Sequence, residues 1–258
     1  MQDLSTRFLS GLIGLILLIV VVNKGGFILA LSILLISLIG IREFYKALDN
    51  INIMPIKIIG YLGTILLFLS AIYPLITLDL VITALTIILL VLLISKRNID
   101  LGGVSLTIFG VLYIPFLLFH IYFLDQGDYI WLVFIIAFGT DTFAYIAGNL
   151  FGRHKLCPKL SPKKTIEGSV GGILGSLFLT LIYTIYIGIN ISWHLILLSI
   201  IVSTMSQLGD LAASKIKRMA DIKDYGFIMP GHGGVLDRFD SIIICAPLIY
   251  YYVYYFIN

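Results

Sequence analysis

The sequence predicts an all-α integral membrane protein of about nine transmembrane helices. Three observations carry this. Of the 258 residues, 60% are hydrophobic and 12% charged; the mean hydropathy is +1.08; and the apolar residues fall into separate runs divided by turn residues or charge. Globular proteins hold about 45–50% apolar and roughly 25% charged residues, so a chain this poor in charge cannot cover a water-facing surface. A soluble globular enzyme, a disordered chain and a disulfide-stapled secreted module are excluded. Cys157 and Cys245 are two lone cysteines without metal-ligand spacing, and they say nothing about redox compartment.

In chain order the runs are Phe8–Val22, Phe27–Ile41, Ile58–Tyr73, Leu78–Ile94, Val104–Leu124, Tyr129–Ala147, Ser169–Ile187, Ser192–Leu211 and Ile242–Ile257. A span needs about 20 residues of mostly apolar helix, and the first two runs are short for that. Arg7 before Phe8 mimics the start of a signal peptide. However, the run ends in Asn23-Lys24-Gly25-Gly26 without a small-x-small cleavage pattern, so a retained helical hairpin is expected. Tyr73-Pro74, Lys96 to Gly103, Asp125 to Asp128 and Gly188 to Asn190 are the breaks with turn chemistry or charge. No internal repeat is visible. Trp131, Trp193 and the tail Tyr250–Tyr255 read as aromatic belts at a membrane interface.

With nine spans, the N-terminus and every even-numbered connection share one side. That side collects all 17 Lys and Arg except Lys24. The positive-inside rule makes it cytoplasmic, with the C-terminus outside. The organisation expected is residues 1–103 as scaffold helices, and 104–258 as helices bearing two cytoplasmic catalytic loops, 141–168 and 207–241. The location expected is the cytoplasmic (inner) cell membrane, multi-pass, with the active site facing the cytoplasm.

Those two loops differ from ordinary connections. Arg42, Lys46, Lys57, Lys96 and Arg97 suit anchors that snorkel to lipid headgroups. Solvated anchors need neither carboxylates in apolar segments nor a glycine-bracketed histidine. Asp141 and Asp210 sit near the inner ends of expected spans, where an ionisable residue usually faces a partner, a cavity or an ion. Asp210 and Asp237 come from separate segments without a Cys or His cluster. They suit either a hard cation such as Mg²⁺ or a structural Asp–Arg pair. The surrounding Lys and Arg favour a phosphate-rich substrate, since such groups neutralise charge on a transferring phosphoryl group. Gly231, Gly233 and Gly234 remove side chains where backbone N–H groups approach an anion. His232 is a candidate general base. A phosphomonoester is already anionic near neutral pH, so orientation or phosphate contact is its other role.

The second loop carries a longer pattern: Ser214-x-x-Lys217-Arg218, Lys223-Asp224-x-Gly226, then Pro230-x-His232-Gly233-Gly234-x-x-Asp237-Arg238-x-Asp240. It resembles the signature of the phosphatidate cytidylyltransferases, also called CDP-diacylglycerol synthases. Ser161-Pro-x-Lys164-Thr165-x-Glu167-Gly168 and Gln207-x-Gly209-Asp210 look like that family's upstream elements. The resemblance spans Asp141 to Asp240. Met229 departs from the family's more usual Leu, Ile or Phe. The resemblance implies the reaction of CTP with phosphatidate to give CDP-diacylglycerol and pyrophosphate, with Mg²⁺, an assisting K⁺, membrane lipids around the protein and a homodimer; no nucleic acid is an expected partner. It implies Asp210 and Asp237 as metal ligands, and Ser214, Lys217, Arg218, Lys223 and Arg238 as phosphate contacts. His232, Gly233 and Gly234 would shape the loop that holds them. Asp210, Asp237, Lys217, Arg218 and His232 are thus the expected catalytic set. Ser161, Lys164, Thr165 and Asp141 join the expected substrate contacts.

A CTP-dependent transferase acting on another lipid phosphate or on a polyprenol is the alternative within enzymes. A transporter of phosphorylated solutes would show internal repeats and mid-membrane ionisable residues in broken helices. A lipid-binding scaffold would explain the basic loops but not the paired aspartates.

Overall fold

The computed structural model describes residues 2–125, 127–228 and 233–257, with side chains from Leu9 onward. His232, with its neighbours Met229, Pro230 and Gly231, and the side chain of Arg7 lie outside the described residues.

A backbone surrounded by lipid must satisfy its own hydrogen bonds, and the apolar runs accordingly become helices. These are α1 (Gln2–Lys24), α2 (Gly26–Asp49), α3 (Lys57–Ile72), α4 (Leu78–Ser95), α5 (Leu101–Val111), α6 (Leu117–Phe119), α7 (Ile130–Phe151), α8 (Ile166–Tyr186), α9 (Trp193–Met219) and α10 (Leu236–Phe256). Among the described residues, seven segments are long and apolar enough to cross a membrane: Gly26–Asp49, Leu78–Ser95, Leu101–Leu124, Ile130–Phe151, Ile166–Tyr186, Trp193–Met219 and Leu236–Phe256. Leu9–Lys24 and Lys57–Ile72 are shorter apolar helices. The protein is a multi-pass helical membrane protein, and each of the nine apolar runs falls on helix. One short non-helical element is added: β1 (Lys155–Cys157) pairs antiparallel with β2 (Ser161–Thr165).

Two compact units make up the chain. The first comprises residues 1–125 and 219–238. Its core packs α2 against α3 and α5. Tyr45, fully buried, donates from its hydroxyl to Thr107 O at 2.8 Å. Gly60 and Gly110 make room for that ring; a Cβ on Gly110 would sit 2.7 Å from Tyr45 Cε1. Between α5 and α6 a π turn over Leu112–Phe116 carries Pro115, which has no N–H to give to a regular ladder. The segment 219–238 is held by α2 at both ends. Asn50 Nδ2 donates to Ala220 O at 3.2 Å, and Glu43 receives the backbone of Val235 and Leu236.

The second unit comprises residues 126–218 and 239–258. Here α7 and α8 lie against each other along a glycine face. A Cβ on Gly172 would come within 2.8 Å of Thr140 O, and one on Gly171 would strike Ala147. Small residues let membrane helices approach this closely, and hydroxyls tie both of these helices to α9. Thr140 Oγ1 and Ser203 Oγ are 2.7 Å apart, and Thr180 Oγ1 and Ser199 Oγ 3.3 Å.

Candidate active site

Polar chemistry in the second unit gathers where its helices run past their apolar stretches. The run ending at Leu211 continues as helix to Met219, so Asp210, Ser214, Lys217 and Arg218 are helical residues of α9 and not members of a loop. Positions 210, 214 and 217 recur at four- and seven-residue intervals and share one face. Ser214 Oγ donates to Asp210 Oδ1 at 3.4 Å. Lys164 forms an ion pair with Asp210 Oδ2 from β2, each side chain 26% exposed. Asp240, buried on α10, lies within electrostatic reach of Asp210, Lys217 and Asp141. Gly209 permits that approach, because a Cβ there would sit 3.0 Å from Asp240 O and 2.8 Å from Ile244 Cγ1. Three carboxylates therefore share one locality with two lysines, and the ammonium groups offset their mutual repulsion.

The hairpin delivers Lys164, and it is fixed at its base. Thr165 caps α8 by accepting Gly168 N–H at Oγ1, 3.1 Å. Glu167, in the first turn of α8, accepts the N–H of Arg153 at 3.1 Å and of His154 at 3.2 Å, and contacts His154 Nδ1 at 2.6 Å. Ser161 is half-buried at the start of β2, and Asp141 is exposed on α7.

In the first unit the first turn of α10 presents Asp237, buried, and Arg238, exposed. Asp237 Oδ2 accepts the N–H of Gly234 at 2.9 Å and of Tyr225 at 2.8 Å. Glu43 accepts the next two, Val235 N–H at 3.1 Å and Leu236 N–H at 2.8 Å. Gly234 thus meets two protein carboxylates: a Cβ on it would lie 2.6 Å from both Glu43 oxygens. Gly233 adopts φ +88°, a conformation that favours glycine. Lys223 is exposed on the same segment.

Of the expected residues, the second unit gathers Asp141, Lys164, Asp210, Ser214 and Lys217. The first gathers Gly233, Gly234 and Asp237. Thr165 serves as a helix cap, and Arg218, Lys223 and Arg238 are exposed. The sequence reading passed over Glu43 and left Asp240 outside its site. Glu43 has a signal in hindsight: Gly40, Ile41, Phe44, Ala47 and Leu48 continue a buried helical stripe beyond Ile41, and Glu43 lies within it.

No three His, Cys, Asp or Glu side chains among the described residues are grouped so as to hold a metal ion. The acids present are oxygen donors, the type Mg²⁺ takes; it commonly uses one or two carboxylates, with waters and substrate phosphates completing its shell. Asp210 in the second unit and Asp237 in the first are each a donor of that type.

Carboxylates and lysines collected at the ends of membrane helices define a membrane protein equipped for phosphate chemistry. The cytidylyltransferase family matches residues 5–256. The chain is 37% identical over 254 residues to the phosphatidate cytidylyltransferase of Staphylococcus saprophyticus, covering 95% of this chain and 97% of that one. It is 36% identical to that of Staphylococcus epidermidis over 257 residues, with the same coverage. To that of Staphylococcus aureus it is 34% identical over 254 residues, again covering 95% and 97%. The chain belongs to the cytidylyltransferase family and is a nucleotidyltransferase.

Proposed function

We propose that the protein joins CTP to phosphatidate, forming CDP-diacylglycerol and releasing pyrophosphate, at the cytoplasmic face of the cell membrane. The observation that carries this is the near full-length relation to phosphatidate cytidylyltransferases. The acid–base cluster around Asp210 supports it.

A phosphate oxygen of phosphatidate attacks the α-phosphorus of CTP in line. A new P–O bond forms there while the bond to the bridging oxygen of the β-phosphate breaks, and its electron pair leaves with pyrophosphate. The attacking oxygen is already anionic, so no strong base is required. Lys217, Arg218, Lys223 and Arg238 supply positive charge to the phosphates. Preorganised charge of this kind is worth most where water is excluded. Ser161, Lys164, Thr165 and Ser214 would add contacts to the substrate phosphates, Asp141 would meet the nucleotide, and His232, Gly233 and Gly234 would shape the phosphate-holding loop. Asp210 and Asp237 would supply ligands to Mg²⁺, which when bound neutralises charge on the phosphate oxygens; K⁺ would assist. The working form is a homodimer in the lipid bilayer. Nine spans with a cytoplasmic N-terminus and an outside C-terminus suit the separation of Lys24 from every other Lys and Arg.

The test uses purified protein in detergent with phosphatidate, Mg²⁺, K⁺ and radiolabelled CTP. Labelled CDP-diacylglycerol and pyrophosphate that require phosphatidate are expected. Folded protein that forms neither overturns the reading.

A further inference from the structure

The N-terminal end of α10 is unusual in where its backbone hydrogen bonds go. The first N–H groups of any helix have no partner within the helix. Here three successive groups, at Gly234, Val235 and Leu236, all end on carboxylates, the first on Asp237 and the next two on Glu43. Glu43 comes from another helix almost 200 residues away in the chain. It is 5% exposed, so these bonds are not traded with bulk water. The two glycines nearest it have no room for a side chain. A Cβ on Gly226 would strike Glu43 Oε1, and one on Gly234 would lie 2.6 Å from both its oxygens. Gly226 and the backbone of 234–236 therefore pack on one carboxylate, and Asn50, just after α2, bonds to Ala220 O.

We propose that Glu43 is a positioning residue for the reaction: by fixing the backbone of 234–236 it aims the Asp237 carboxylate and Arg238 at the phosphates. This rests on the reaction proposed above. Asp237 spends its Oδ2 on Gly234 and Tyr225, so the direction in which its carboxylate points is set by that backbone. The backbone in turn is set by Glu43. A misplacement of about 1 Å at a reacting group costs on the order of 100-fold in rate. Partners that orient metal-binding or catalytic groups typically cost about 10- to 100-fold when lost.

The test compares full-length wild type, Glu43→Gln and Glu43→Asp, each in detergent with phosphatidate, CTP and Mg²⁺. Amide hydrogen exchange over 233–240 is followed alongside kcat, KM and the Mg²⁺ dependence of rate. Glutamine keeps one acceptor but turns the other into a donor facing an N–H. Expected for Glu43→Gln are a kcat about 10- to 100-fold lower, faster exchange over 233–240, an increased Mg²⁺ requirement, and a KM for phosphatidate within about twofold of wild type. Aspartate keeps both acceptors on a stem one methylene shorter, and recovers part of kcat. A purely structural role would lower the amount of folded enzyme while leaving the Mg²⁺ dependence of the remainder unchanged. Wild-type kcat with wild-type exchange in Glu43→Gln overturns the proposal. So does a loss of rate in both variants that follows the folded fraction alone. A wild-type protein that makes no product overturns the reaction itself. That failure is distinct, because it is read before any variant is compared.

Discussion

Lys164 of the β-hairpin and Asp210 of α9 form a partly buried ion pair inside the second unit. The pair joins a lysine expected to meet phosphate to an aspartate expected to meet a cation. It also fixes the sign of a substitution. In Lys164→Gln the carboxylates of Asp210, Asp240 and Asp141 lose a neighbouring positive charge, so the site attracts cations more strongly while it holds anionic phosphate less well. Half-saturation by Mg²⁺ is expected about two- to fivefold lower, the range of a solvent-screened pair, with KM for CTP raised and turnover reduced. A steady-state Mg²⁺ titration checks this; a higher Mg²⁺ requirement would count against Lys164 as a competitor for Asp210.

Asp210→Asn and Asp237→Asn separate charge from hydrogen bonding. An asparagine amide still offers one acceptor oxygen, so Asp237→Asn keeps an acceptor for Gly234 and Tyr225 N–H. Both variants are expected to insert and fold normally, and to lose turnover by a factor on the order of 100 or more, as for deletion of a major electrostatic contact. Initial rates at saturating CTP, normalised to folded protein, decide it. Near wild-type turnover in either variant would overturn the proposed metal role of that residue.

The parts of the fold visible in the sequence are those that meet lipid. Every apolar run lands on a helix, because hydropathy reports the solvent around a segment. It does not report the backbone, and the misplacements follow from that. α2 runs on to Asp49, α7 to Phe151 and α9 to Met219, all past the point where charge begins. Asp141 therefore lies within α7, and Asp210, Ser214 and Lys217 share a face of α9, instead of lying in loops. Glu43 is not singled out in the sequence, where it stands between the anchors Arg42 and Lys46, yet it faces inward. The hairpin had no alternating pattern to reveal it: Lys155-Leu-Cys157 and Ser161-Pro-Lys-Lys-Thr165 are short and polar. The motif in 207–241 was legible as chemistry, since acids, lysines and glycines recur there. The residue that holds its glycines was not, because the contact spans nearly the whole chain.

The turn between α1 and α2 offers a test away from the site. Gly25 and Gly26 have φ +59° and +52°, and Gly26 N–H donates to Asp125 Oδ2 at 2.5 Å. In Gly25→Ala a Cβ would lie 2.5 Å from Asp125 Oδ1 at a φ that L residues avoid. A loss of about 1–3 kcal/mol is expected from such a strained position. Thermal unfolding followed by tryptophan fluorescence in detergent reads it. An unchanged transition would mean that Asp125 moves aside without cost.

Glycines packed on Glu43 can be told from those that merely occupy a helix. Gly234→Ala puts a methyl 2.6 Å from both Glu43 oxygens, whereas Gly14→Ala, on α1, meets nothing within 4 Å. Overpacking a filled site costs about 1–3 kcal/mol, while alanine at an open helix position is favoured over glycine by roughly 1 kcal/mol. The two substitutions should therefore move the unfolding transition in opposite directions, down for Gly234→Ala and slightly up for Gly14→Ala. Gly226→Ala should follow Gly234→Ala, because its methyl strikes the same carboxylate. Pairing Gly234→Ala with Glu43→Ala supplies the decisive comparison: with the carboxylate removed, the added methyl has space, and the double variant should lose less than the sum of the two single ones. Strict additivity would show that the close approach of Gly234 to Glu43 does not constrain the folded protein.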